Sequence, residues 1–340
     1  MRMKAAVMEG IDKLALREID VPEIGDEYVL VRTKACSICG SDIEELRTGA
    51  FAAFFPIALG HEVSGVVHAV GRAVKRLKPG DRVALEPNMP CRRCELCRQG
   101  LYHLCPDTDH IGCHSHGGFA EFVGIHELNC CVLPEEVDFV RASLMEPIGV
   151  CLEGIRRSRL SIGEDVLIIG NGPFGQLYIQ LALLAGAGEV IVAGRNGHRN
   201  SLSAGIGATV VDTRQEDLAS RVHQITHGRG VDVVIDAAGT KEALPLAATA
   251  CKPRGRIVLF SHTNVPVTIH IPDIQLKELD VLGSVNNPHT FPVVAELLRK
   301  KRIDLGPIIT HTLPLEDIHR GFEMVEKRLD NCMKAVVVFA

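Results

Sequence analysis

The 340-residue sequence has no apolar run long enough to span a bilayer; the apolar stretch at 178–187 has the length of a buried helix. It has no excess of positive charge either. Lys and Arg number 37 against 42 Asp and Glu, a net charge of −5, so neither nucleic acid nor an anionic membrane surface is an expected partner. The opening MRMKAAVMEG carries two basic residues with no apolar segment behind them. No secretory signal is therefore expected, and the expected location is cytoplasmic. Internal repeats and low-complexity tracts are also missing. What remains is a globular chain, 46% hydrophobic and 23% charged, of a length that suits two domains with a core each.

Cysteine, in contrast, is abundant: twelve residues, unevenly placed. Four fall at 91, 94, 97 and 105, and Cys39 stands in a motif of its own. The other seven are scattered, and several, such as Cys151 and Cys251, lie in apolar surroundings where a free thiol behaves as a small hydrophobe. This distribution fits a metal protein in a reducing compartment better than a disulfide framework.

The stretch 165–188, DVLIIGNGPFGQLYIQLALLAGAG, organises the chain. The short apolar run 166–169 predicts a buried parallel strand. Gly170-Asn-Gly172-Pro173-Phe174-Gly175 follows at once and leads into a helix predicted over 176–185. Strand, glycine turn and helix together make a dinucleotide-binding fingerprint. Gly170 allows the tight turn, Gly172 lets backbone approach a pyrophosphate, and Gly175 lets helix and strand pack closely. The free N–H groups at the helix start then face the phosphate charge.

Upstream, residues 4–8, 14–19 and 28–35 predict strands of a mixed, largely antiparallel domain, with further strands at 63–70 and 83–85. Cys39, beside Gly40, Ser41 and Asp42, is a candidate metal ligand where a strand gives way to a helix. His61 and Glu62 supply its company, since thiolate, imidazole and carboxylate are the ligand types zinc takes, and a catalytic site uses three with one position open. Cys91, Cys94, Cys97 and Cys105, at x2, x2 and x7 spacing, can close a tetrahedron around one structural zinc, with Arg92, Arg93 and Arg98 offsetting its negative charge. The same spacing is not foreign to redox-active or iron–sulfur sites. His110, His114 and His116 read as loop histidines able to touch a substrate at most. Glu146, followed by Pro147, is either a carboxylate reaching toward a ligand or an acid favoured by a helix N-terminus, the helix being predicted over 148–159.

Past the fingerprint, strands are predicted at 189–193, 208–212, 231–235, 256–260 and 281–285, alternating with helices as in a doubly wound sheet. Asp236 lies at the carboxyl edge of that sheet, where ligands bind. An Asp or Glu about 20 residues past the glycines would bind the ribose 2′-hydroxyl. This chain has Gly194 there, followed by Arg195, Asn196 and Arg199. The missing carboxylate no longer repels a 2′-phosphate and Arg195 can pair with it, which favours NADP(H) over NAD(H). The alternative is that Arg195 stacks on adenine and leaves both cofactors usable. Helices at 292–300 and 316–327 and a last strand at 334–339 carry no further motif and are assigned back to the first domain. The expected domains are therefore 1–145 with 287–340, and 146–286.

Taken together, Cys39-Gly-Ser-Asp, Gly60-His61-Glu62, the four-cysteine lobe, Glu146-Pro147 and Gly170-x-Gly-x-x-Gly, in this order over essentially the whole chain, resemble the zinc-containing medium-chain alcohol dehydrogenases, especially the polyol, sugar and threonine branch. The resemblance implies an α/β Rossmann domain beside a β-rich, GroES-like catalytic domain. It implies a catalytic zinc on Cys39 and His61, completed by Glu62 or Glu146, and a proton relay starting at Ser41. That branch often carries a histidine at the place of Glu44, so Glu44 is expected to contact a polar substrate instead. The activity implied is hydride transfer between a nicotinamide cofactor and a secondary alcohol of a polyhydroxylated molecule, with two zincs per chain. A homodimer or homotetramer is also implied, with the sheet edge near 281–285 as interface. Rival readings are a threonine or simple diol dehydrogenase, a cofactor-binding homologue without catalysis, and a zinc ribbon that uses only residues 91–105.

Overall fold

The computed structural model describes residues 1–263 and 265–340. The chain divides into two compact units, Met1–Gly149 with Asn287–Ala340, and Val150–Asn286. Among the described residues no helix is long and apolar enough to cross a membrane.

In the first unit, short runs rich in apolar and β-branched residues form strands at Arg2–Gly10, Lys13–Asp20, Tyr28–Ser37, Glu62–Val70 and Arg82–Leu85. Tyr28–Ser37 is the hub of the larger sheet. It pairs antiparallel with Glu62–Val70, Phe122–His126 and the late strand Lys334–Val338. The last pairing brings residues past 286 back into this unit. One pairing in this sheet is parallel, Ile309–Pro314 with Lys334–Val338. The core beneath includes Val31, Ile38, Leu59, Val63, Phe119 and Val337, all essentially inaccessible to solvent.

The second unit is a six-stranded sheet with every described pairing parallel. Its order runs Thr209–Asp212, Val190–Gly194, Val166–Ile169, Val231–Asp236, Cys251–Leu259, Asp280–Gly283. Counted along the chain this is 3-2-1-4-5-6, the dinucleotide-binding order, with the fingerprint strand at the reversal point. Val166–Ile169 is buried along its whole length, which is why it reads as an uninterrupted apolar run.

Several boundaries depart from sequence expectation. The helix expected over 148–159 is Met145–Ser158, so Glu146 and Pro147 lie in its first turn, where proline removes no needed N–H. This helix crosses the division between units, and residues 146–149 belong with the first unit. The fingerprint helix starts at Pro173 rather than 176 for the same reason. The strand expected at 256–260 begins five residues earlier, at Cys251. The strand expected at 281–285 is Asp280–Gly283, ending before Val285. Glu316 lies in a single 3-10 turn ahead of the helix Ile318–Lys327.

Candidate metal centres and dinucleotide site

Cys39 ends the hub strand's loop and caps the helix Gly40–Thr48. The Asp42 carboxylate, 3% exposed, accepts from the Cys39 N–H at 2.8 Å and the Gly60 N–H at 3.3 Å, and faces His61 Nδ1 at 3.2 Å. One aspartate thus ties two chain segments together and fixes the imidazole through Nδ1. Ligand atoms of Cys39, His61 and Glu62 lie within 4.8 Å of one another, all three residues buried. Burial opposes protonation of His61, but Asp42 and Cys39 outweigh it and hold its pKa well above the ordinary value. A buried pocket that favours positive charge and combines thiolate, imidazole and carboxylate donors fits a bound zinc ion.

Glu62, completely buried, opens the strand Glu62–Val70. Both its oxygens accept from Lys334 Nζ, Oε2 at 2.7 Å and Oε1 closer, and Lys334 also donates to the Ile38 carbonyl at 3.3 Å. Lys334 is 3% exposed; desolvation alone would lower its pKa, but Glu62 and Cys39 keep it raised. Glu146 stands outside the trio, as a buried electrostatic neighbour of His61 and Glu62. Burial pushes its pKa up to about 7, His61 opposing and Glu62 reinforcing the shift. Ser41 is exposed in the first turn of Gly40–Thr48, and Glu44 is half-buried on the same helix. Neither belongs to the trio.

The loop histidines divide. His110 lies with its ring 5.4 Å from His61, and burial and that neighbour lower its pKa to about 3, so it stays neutral. His114 Nδ1 accepts from the His110 N–H at 3.1 Å, and His116 Nδ1 from the Ala58 N–H at 3.1 Å; both shape the loop.

In the second cluster the four sulfurs of Cys91, Cys94, Cys97 and Cys105 also lie within 4.8 Å of one another. Backbone N–H groups of Cys91, Cys94 and Cys97 donate to sulfurs of Cys105, Cys91 and Cys94 at 3.4, 3.4 and 3.5 Å. Such bonds favour thiolate, and those from Arg93 and Cys94 lower the Cys91 pKa to about 6, while burial and the neighbouring thiols raise Cys97 to about 12. Four sulfurs so placed can close a tetrahedral zinc shell with no position left for a reactant. Arg92, expected as a counter-charge, donates to Asn129 Oδ1 at 2.8 Å and straps the lobe to the sheet. Tyr102 is a second strap, its hydroxyl accepting from the His289 N–H at 2.7 Å.

In the second unit Gly170 takes φ +107°, and a side chain there would meet the Ala237 carbonyl. A Cβ on Gly175 would overlap the Gly170 carbonyl oxygen, so only glycine lets the helix sit this close. Gly172 has open space on its Cβ side, with Arg199 Nη1 3.8 Å away as the nearest group. Gly172 offers no capping side chain to the helix Pro173–Leu184, so no side chain of the cap residue occupies the first N–H groups. Phe174 turns its ring edge to Phe260 at 5.0 Å. Gly194 ends its strand buried; Arg195 and Asn196 are exposed, and Arg199 is 9% exposed. Asn196 accepts from the Arg199 N–H at 3.1 Å and caps the helix Gly197–Ile206. Asp236 spends one oxygen on the N–H groups of Ala238 and Gly239, at 2.9 and 3.0 Å, and so serves its own turn.

Asp42 and Lys334 were not singled out by sequence reasoning. Asp42 carried a faint signal as part of the Cys39 motif. Lys334 carried one as a charge opening an otherwise apolar strand.

Residues 25–135 match the family described as Alcohol dehydrogenase GroES-like domain, and residues 173–300 match Zinc-binding dehydrogenase. The chain is 32% identical to a sorbitol dehydrogenase of Bacillus subtilis, over 98% of this chain and 97% of that protein. Among solved structures, a putative zinc-binding dehydrogenase from Sinorhizobium meliloti bound to NADP superposes with a TM-score of 0.92 at 33% identity, covering 100% of both chains. An Escherichia coli alcohol dehydrogenase in complex with NADH does so with a TM-score of 0.93 at 30% identity over 99% of each. With both domains matched and full-length relatives above 30%, the chain belongs to the zinc-containing medium-chain alcohol dehydrogenases. It is an oxidoreductase that works with zinc and a nicotinamide cofactor on a small-molecule alcohol.

Proposed function

We propose that this dehydrogenase oxidises a secondary alcohol of a polyhydroxylated substrate, a sugar alcohol, sugar, cyclitol or aminocyclitol, and prefers NADP(H) to NAD(H). The buried trio Cys39, His61 and Glu62, set in a pocket that stabilises positive charge, is the observation that carries the catalytic reading. The sorbitol dehydrogenase relative supports the substrate class. The NADP-bound neighbour and the carboxylate-free Gly194 support the cofactor preference.

Cys39 and His61 hold the catalytic zinc, and Glu146 completes the shell. Glu62 has both oxygens engaged by Lys334, so it acts as a charge-balanced support behind the ligands. Cys91, Cys94, Cys97 and Cys105 hold the second, structural zinc. The bound zinc supplies Lewis acidity to a substrate hydroxyl, and the nicotinamide supplies the hydride acceptor. Asp42 keeps the imidazole in one tautomer and orientation. Ser41, exposed in the first helical turn, passes the hydroxyl proton toward solvent, and Glu44 on the same helix contacts a second substrate hydroxyl. The backbone at Gly170, Gly172, Pro173, Phe174 and Gly175 receives the pyrophosphate, and Arg195 with Arg199 receives the 2′-phosphate. The edge strand Asp280–Gly283, with Val281 37% exposed, is the surface for homo-oligomer formation in a cytoplasmic enzyme.

The test is reduced-nicotinamide absorbance across polyols, sugars, cyclitols, aminosugars and threonine with each cofactor, together with zinc content. Turnover of one polyhydroxylated class with NADP preferred, at two zincs per chain, is expected. Turnover of threonine alone, or with NAD alone, overturns the substrate or the cofactor assignment respectively. Glu146→Gln is expected to lose one zinc, and Glu62→Gln to keep both; the reverse result exchanges their roles.

A further inference from the structure

The space above Gly194 is filled by side chains from elsewhere. A Cβ at this position would come within 2.6 Å of Asn171 Cγ, and closer than 3.0 Å to Asn171 Nδ2 and Asn200 Oδ1. Those two polar atoms are hydrogen-bonded to each other at 2.7 Å. Asn171, 7% exposed, sits between the first two glycines of the turn, and Asn200 lies on the helix Gly197–Ile206. The pair is itself anchored. Gln176, 1% exposed, donates through Nε2 to the Asn171 carbonyl at 3.2 Å, the Arg199 carbonyl at 3.3 Å and Ser203 Oγ at 2.8 Å. Ser203 Oγ donates in turn to the Arg199 carbonyl at 3.0 Å. Glycine turn and helix are therefore sewn together by a buried polar network, and the Arg199 guanidinium emerges from it beside Gly172.

We infer that the Asn171–Asn200 pair is the specificity-determining element of the cofactor site. It occupies the volume that a ribose-binding carboxylate on residue 194 would need, and with Gln176 it holds Arg199 at the turn where phosphate charge arrives. The glycine at 194 is on this view a consequence of the pair. An acidic side chain could not enter without breaking the Asn171–Asn200 bond and leaving a buried amide unpartnered, a loss buried polar groups resist. Selectivity thus rests on positioning residues in two elements, which makes the site resistant to a single-residue switch. This inference rests on the proposed 2′-phosphate preference for its biological meaning, but the coupling between positions 194 and 200 is separable from it.

The experiment measures dissociation constants of NADP and NAD for the zinc-replete enzyme and for Gly194→Asp, Asn200→Ala and the double variant. Gly194→Asp alone is expected to weaken both cofactors without gaining NAD. In the double variant NAD binding recovers by about tenfold over Gly194→Asp, a coupling typical of residues in contact. If Gly194→Asp alone binds NAD as well as the double variant does, the pair is no obstacle and the inference is overturned. A wild-type preference for NAD overturns the proposed cofactor assignment while the coupling still decides the role of the pair. Should Gly194→Asp fail to fold, Gly194→Ala with and without Asn200→Ala poses the same question. The methyl meets the same two atoms, and additive effects on the NADP-to-NAD ratio sink the inference.

Discussion

The two candidate metal clusters of the first unit are built in opposite ways. The four-cysteine lobe is local: its ligands lie within one short segment, three of them half-exposed, and its own backbone N–H groups turn toward the sulfurs. The Cys39 centre is assembled from distant chain segments, fully buried, and balanced by a lysine 272 residues from the carboxylate it holds. A closed tetrahedron needs only its four ligands. A centre that must keep a place for substrate cannot saturate its metal, so its fixed charges have to be balanced by the surrounding protein. Lys334 does this for Glu62, while Asp42 fixes the imidazole of His61.

Removing one ligand from each cluster breaks this comparison most directly. Cys39→Ala is expected to abolish turnover and release one zinc, with little change in thermal midpoint. Cys97→Ala is expected to release the other zinc and lower the midpoint by about 5 °C or more, because a structural zinc contributes folding free energy. Metal analysis and calorimetry on both variants check this, and equal loss of activity and stability in both would erase the distinction.

Lys334→Met comes next. It leaves Glu62 buried beside the Glu146 carboxyl without its cation, a change expected to cost about 3–5 kcal/mol in denaturant unfolding. Adding Glu62→Gln should restore most of that stability. If the single variant is as stable as wild type, Glu62 is not held by charge.

A milder change separates orientation from ligation. Asp42→Asn retains the shape but weakens the grip on the imidazole, and should reduce zinc affinity at the Cys39 centre by about 10–100-fold. Metal competition titration is expected to show the lobe zinc unaffected.

The smallest effect concerns Glu86, which interacts with the strap residue Tyr102 near the lobe. Burial raises its pKa from 4.5 to about 7, with Tyr102 and Arg92 opposing. The folded state then holds a proton that the unfolded state has released between those two values, so this group makes stability fall as pH rises through that window. Glu86→Gln should flatten the dependence of unfolding free energy between pH 5 and 7, by about 1 kcal/mol per unit at most. An unchanged slope would remove Glu86 as its source.

How far the site was legible followed the same division. Cys91 to Cys105 and Gly170 to Gly175 could be read directly, since in each the spacing of residues along one short backbone segment is already the geometry of the site. The trio at Cys39, His61 and Glu62 was legible as ligand types but not as an arrangement. Their company was argued from chemistry, and the contacts came from the pairing of Tyr28–Ser37 with Glu62–Val70. Lys334 had only the signature of a polar strand end. Asn171, Asn200 and Gln176 passed for ordinary turn and helix residues.

Residue spacing alone carried the two clusters of candidate metal ligands, the glycine turn, the alternation of strands and helices in 166–283, and from these the enzyme class. Each is a short-range pattern, in which backbone stereochemistry carries residue spacing straight into three dimensions. The tertiary structure decided which charges face one another: Asp42 with His61, Lys334 with Glu62, and the two asparagines above Gly194. Those contacts join side chains across sheet pairings and turns, and their strength depends on burial that no local spacing records.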